Sequence, residues 1–123
     1  MAYFNDNIMR YKNTYITIEK SLFEDLENSI NKHNLHYGKE DSNKIMMDKA
    51  VFFIDYIRYQ RTMRKDDATA GGYIRIPSKF LNIYLQKELR KYKDFLIRYN
   101  YIKTIPYNKD ESKSYGYLVS FAG

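Results

Sequence analysis

The chain has 123 residues, a formal net charge of +6, no cysteine and no tryptophan. That length suits one compact domain, or a small domain with an extension, and the missing thiols exclude a disulfide scaffold, a thiol nucleophile and a cysteine-ligated zinc site. No apolar run nears the ~18 residues of a transmembrane helix, and the start MAYFNDNIMRYKN lacks the basic-then-apolar layout of a signal peptide, so a soluble cytoplasmic protein without a membrane partner is expected.

Residues 1 to about 10 show no period and read as a loosely held arm. NTYITIE, Asn13 to Glu19, alternates as a short strand. SLFE, Ser21 to Glu24, is a capping-box pattern opening a helix whose apolar stripe is Leu22, Leu26 and Ile30, with Phe23 beside it. NKHNLHYGKEDSN has loop character and ends that helix.

The longest periodic segment runs from about Ser42 to Arg64. Met46, Ala50, Phe53, Ile54 and Ile57 form one face, and Ile45, Phe52, Tyr56 and Tyr59 occupy much of the other, so a helix covered from two sides is expected. KDDATAGG, Lys65 to Gly72, breaks it. Tyr73 to Ile76 reads as a short strand stopped by Pro77, and Ser78 caps a short helix with Phe80, Leu81, Tyr84 and Leu85 on one side. A further helix, about Lys87 to Tyr99, clusters Leu89, Tyr92, Phe95, Leu96 and Tyr99 on one face and Lys87, Arg90, Lys91, Asp94 and Arg98 opposite. YIKTIPY and SYGYLVS are strands joined by NKDESK, and the short span favours antiparallel pairing.

Charge is unevenly spread. Residues 1 to 71 hold eleven Lys/Arg and eleven Asp/Glu, while residues 72 to 123 hold ten and four, so all the excess lies in the second part. A concentrated positive field favours a polyanionic partner, nucleic acid first.

The order helix, strand, short helix, helix, strand, charged loop, strand resembles a winged helix-turn-helix domain over about residues 44 to 120. IPSKFLNIYL, YKDFLIRYNYIKTIPYN and SKSYGYLVS are similar in style to such modules in phage and plasmid replication or regulatory proteins. The expected fold is therefore mainly α with a small β-hairpin (α+β). Residues 42–123 form the winged helix-turn-helix, and residues 1–41 an N-terminal strand and helix extension that is a candidate dimerisation element. The resemblance implies a double-stranded DNA-binding protein, a transcriptional regulator or replication accessory, in a bacterial or phage-infected cell. It also makes the Lys87 to Tyr99 helix the recognition helix and Asn108 to Lys113 the wing tip.

Physical chemistry gives those positions plausible work. Arg90 can read a guanine edge bidentately, and Lys87, Lys91 and Arg98 supply donors to phosphate. Asp94 can accept from a cytosine amino group or pair with Arg90 or Arg98. Ser78 and Lys79 would face a phosphate at the start of the short helix. In the loop, Asp110 and Glu111 cancel Lys109 and Lys113, which leaves Ser112, Lys113 and Tyr115 as the expected contacts.

Fourteen tyrosines invite base stacking, but most fit a half-buried pleat or core better. HNLH, His33 to His36, with Glu40 and Asp41 is a poor metal set and reads as an exposed helix end. No nucleophile and base assemble, so no enzyme, cofactor, metal or small-molecule substrate is expected.

A homodimer through the Met46 to Ile57 helix would set half-site spacing. TYITIEKSLFEDL with the Ser42 helix also resembles a ribbon-helix-helix unit, which implies that Tyr15, Thr17 and Glu19 point outward. The competing expectation is a protein-interaction or phage structural module without DNA binding.

Overall fold

The computed structural model describes residues 7–63, 74–76, 78–106 and 117–121. The described elements are β1 (Ile8–Arg10), β2 (Thr17–Glu19), α1 (Lys20–Asn34), α2 (Met47–Met63), β3 (Ile74–Ile76), α3 (Ser78–Tyr84), α4 (Leu89–Arg98), β4 (Ile102–Pro106) and β5 (Tyr117–Phe121). The fold is mainly helical, with antiparallel sheets ordered β1-β2 and β3-β5-β4. Two compact units divide the chain, Met1–Asp55 and Tyr56–Gly123.

In the first unit, residues 8 to 10 are a strand rather than part of a loose arm, because the turn after them folds the chain back on itself. Ile8, Met9 and Arg10 pair with Glu19, Ile18 and Thr17. The Tyr11 amide donates to the Ile16 carbonyl at 2.8 Å, and Lys12 takes the left-handed conformation at φ 49°. Thr14 braces the turn by donating its hydroxyl to the Tyr11 carbonyl and accepting from the Ile16 amide at 3.1 Å. Residues 13 to 16 are consumed by this turn, so the expected strand from Asn13 shortens to Thr17–Glu19.

The pairing also overturns the capping box. The Lys20 amide donates to the Asn7 carbonyl at 2.7 Å, so the sheet itself satisfies the first helical amide and Ser21 already lies inside α1. Glu19 occupies the cap position without a side-chain capping bond. The ribbon-helix-helix reading is corrected by the same fact: β2 has its partner, β1, within the chain. The outward placement it implied does hold for Tyr15 and Thr17, which are exposed, while Glu19 is half-buried.

The predicted stripe forms the buried side of α1, with Leu26 and Ile30 buried and Leu22 and Phe23 half-buried. At its end the Asn34 side chain donates from Nδ2 to the Ile45 carbonyl and accepts the Ile45 backbone amide at Oδ1, both at 2.9 Å. This clamp, and turns at Asp41 and Lys44, use up the residues expected to open the next helix, so α2 starts at Met47 instead of Ser42. Arg64 lies outside the described residues. Ala50, Phe53, Ile54 and Ile57 are buried as expected, together with Val51, but Met46 is exposed because it precedes the helix. On the second face Ile45 is buried, Phe52 and Tyr56 are half-buried and Tyr59 is exposed, so cover there is partial.

Asp48, in the first turn of α2, receives both the buried Tyr11 hydroxyl and the Lys12 ammonium, the latter at 2.8 Å. These two hydrogen bonds hold the Asp48 carboxyl below its usual range. Burial, then the bond to Asp48, pushes the Tyr11 hydroxyl up, and the bond to Asp48 raises the Lys12 ammonium. The helix N-terminus favours the same carboxylate.

In the second unit, β5 lies between β3 and β4, pairing Val119 with both Ile74 and Thr104. Pro106, which lacks an amide donor, ends the edge strand β4. Lys65–Gly72, Tyr73, Pro77 and Asn108–Lys113 lie outside the described residues. Leu81, Leu85, Leu89, Tyr92, Phe95, Leu96 and Ile102 are buried, each fully buried aliphatic or aromatic group contributing about 1.5–3 kcal/mol of transfer free energy. Arg58 and Arg61 place their guanidinium carbons 5.9 and 5.7 Å from the Phe121 ring centroid.

Candidate nucleic-acid interface

The short helix α3 ends in a turn that fixes the start of α4. The Lys87 amide reaches back to the Asn82 carbonyl at 2.8 Å, and the Glu88 amide to Leu85 at 3.0 Å. Gln86 and Lys87 adopt consecutive left-handed conformations, φ 57° and 65°. Lys87 therefore lies in this turn, exposed, and not on the helix where the sequence period put it. Ser78 and Lys79 open α3, and their side chains lie outside the described set, as do Ser112, Lys113 and Tyr115. Tyr84, expected on the buried side with Leu81 and Leu85, is exposed instead, beside an exposed Ile83.

Leu89, Tyr92, Phe95 and Leu96 make the buried face of α4, with Tyr99 half-buried and its ring 5.0 Å from Phe95. The far end is closed by Asn100 in the left-handed conformation, φ 68°. Its amide donates to Ile97 at 3.0 Å, and that of Tyr101 to Leu96 at 2.8 Å. That bond pair is the Schellman arrangement, and it delivers the chain into β4.

The outer face of α4 carries Arg90, Asp94, Ile97 and Arg98. Arg90 has a side chain 91% exposed and its Nε lies 3.9 Å from an Asp94 oxygen. With the cation N-terminal to the acid this is the less favourable helical order, so the pair barely restrains Arg90. Lys91 departs from expectation: its side chain is 23% exposed, paired with Glu88 at 2.8 Å and lying 5.2 Å from the Tyr92 ring centroid. Arg98 is exposed in the last turn, 5.8 Å from the Tyr99 ring centroid. The expected outward face is thus present for Arg90, Asp94 and Arg98, with Lys87 just before it.

Two groups on this helix were not anticipated. Lys93 is half-buried on the flank and Ile97 is exposed among the charges, both recoverable from helical geometry once the helix starts at Leu89. No acidic residue lies in the first turn of α4, where the helix dipole favours anions; Arg90 and Lys91 stand there instead.

The other candidate cluster has a structural partner. His33 bonds the Asn43 carbonyl through Nε2 at 3.1 Å and packs 5.2 Å from the Tyr37 ring, and His36 is exposed. Among the described residues no three His, Asp or Glu groups are placed to hold a metal ion. Nor is any described helix long and apolar enough to cross a membrane. No family model, curated protein or solved structure matches the chain.

Proposed function

We propose that the chain is a double-stranded DNA-binding protein, a transcriptional regulator or replication accessory, whose residues 42–123 act as a winged helix-turn-helix. The sheet order β3-β5-β4, with α3 and α4 between the first and last of these strands in the chain, supports that fold reading. The observation that carries the function is the first turn of α4. Lys87 and Arg90 stand exposed at a helix end that is itself partially positive, where the dipole disfavours cations, while Lys91 beside them is paired with the N-cap Glu88.

In this reading α4 lies in the major groove, whose width admits one helix. Arg90, weakly restrained by Asp94, reads a base edge, and Lys87 and Arg98 take phosphates. Lys91, held by Glu88, contributes to the field more than to a contact. A homodimer through the 46–57 segment loses its main surface, since Ala50, Phe53, Ile54 and Ile57 are already buried in the single chain.

One observation favours the alternative of a protein-interaction or phage structural module. Ile83 is 72% exposed next to Tyr84 on α3, an apolar pair that a protein partner would cover. Titration of a labelled random duplex decides between them. Arg90→Glu and Arg98→Glu should each weaken binding about 10-fold or more, as reversal of a phosphate or base contact requires, whereas Ile83→Ser should not. Equal affinities for all three variants would favour the interaction module.

A further inference from the structure

Tyr15 is 97% exposed, more than any other large apolar or aromatic side chain among the described residues. The turn that carries it is held by the bonds already described among Tyr11, Thr14 and Ile16. Arg10 adds another: its Nε donates to the Thr14 carbonyl at 2.7 Å, which lays the guanidinium 5.8 Å from the Tyr15 ring centroid. A ring so placed buries almost nothing, so its display contributes nothing to the core. Beside the ring, Arg10 is the cation that no described carboxylate engages, since Lys12 is paired with Asp48, while Lys20 and Glu19 lie at the other end of the hairpin against Asn7 and Ile8.

We infer that the tip of the β1–β2 hairpin is a contact for an unpaired nucleotide, with the base stacked on the Tyr15 ring and a flanking phosphate on the Arg10 guanidinium. Stacking needs a free base face, which a paired duplex hides and a single strand offers, and it tolerates any base because each has a π-face. The Arg10 guanidinium beside the ring favours an anionic partner over an apolar or basic protein surface. The site lies in the first compact unit, away in sequence from α4, and stands whether or not α4 binds duplex.

The test uses the full chain and an oligothymidylate longer than a site of ~4–16 nucleotides, followed by fluorescence anisotropy at low salt, with a random duplex in parallel. Tyr15→Ala should weaken single-strand binding about 5- to 100-fold. Tyr15→Phe should bind nearly as the wild type does, and the thermal midpoint of both variants should be unchanged because the ring is exposed. Arg10→Ala should weaken binding and flatten its salt dependence. The inference is overturned if the wild type ignores the oligothymidylate, if Tyr15→Ala binds it normally, or if duplex and single-strand affinities fall equally. A concentration-dependent dimer that sediments only with Tyr15 intact would likewise overturn it, assigning the tip to a second copy of the chain.

Discussion

Replacing Gln86 by glycine should stabilise the protein even though it removes a side chain. Gln86 and Lys87 hold successive left-handed conformations with no glycine or asparagine to ease either. The left-handed conformation costs a residue with a Cβ about 1–2 kcal/mol. Glycine escapes that cost but loses about 0.5–1 kcal/mol more chain entropy on folding, which leaves a net gain of up to about 1.5 kcal/mol, roughly 0.75 kcal/mol at the middle of the two ranges. Gln86 is exposed, so its side chain buries little apolar surface that the glycine would forfeit. In a urea melt followed by far-UV circular dichroism, with a slope of about 1.5 kcal/mol/M, the midpoint should rise by about 0.5 M, and by no more than about 1 M, at unchanged slope. Gln86→Val should lower it, because a branched Cβ is least tolerant there. Asn100→Gly provides the control: asparagine already tolerates φ 68°, so its gain should be smaller. A loss of stability in Gln86→Gly, or a neutral Gln86→Val, would refute the turn geometry that positions α4.

The clamp between α1 and α2 gives a second expectation. Asn34→Ala should cost about 1–3 kcal/mol, because it strips partners from both backbone groups of the buried Ile45; the same urea melt measures it. Asp48 supplies a pH signature. Its folded-state carboxyl is depressed, so its contribution is complete above the unfolded value of ~3.9 and is lost as pH falls through the folded value. Tyr11 and Lys12 are raised, so their share is complete below about pH 10 and is lost as pH rises through the folded values. The stability difference between wild type and Asp48→Asn should therefore be level near neutral pH and shrink below about pH 4; a difference that stays constant into acid would contradict the Tyr11–Asp48–Lys12 arrangement.

The helical stripes were legible because burial imposes a period of 3.6. Leu26 with Ile30, and Leu89, Tyr92, Phe95 and Leu96, are buried where the spacing put them. Features created by pairing across the chain left no such trace. Ile8 to Arg10 becomes a strand only because Thr17 to Glu19 lies opposite, and the same ladder displaces the capping role of Ser21. Lys87 was misplaced for a different reason: the turn before α4 uses Gln86 and Lys87, neither of which signals a left-handed turn in a sequence. At the site, Arg90 and Arg98 followed from periodicity, while the pairing of Lys91 with Glu88 and the exposure of Ile83, Tyr84 and Ile97 depended on where α4 begins and what it packs against. Tyr15 looked like any strand tyrosine, and its exposure follows from the turn that Thr14 and Arg10 build.

The central proposal is that Lys87, Arg90 and Arg98 meet the phosphates and bases of a duplex. Its most direct test is the salt dependence of random-duplex affinity across a series of ionic strengths. With Lys87 and Arg98 each neutralising a phosphate, at ~0.9 counterions each, log affinity should fall against log salt with a slope of about −2 or steeper. Lys87→Glu combined with Arg98→Glu should flatten it by about 2. A slope near zero, or no measurable binding even at the lowest salt, would contradict the proposal and leave the exposed Ile83 and Tyr84 pair as the better guide to what this surface meets.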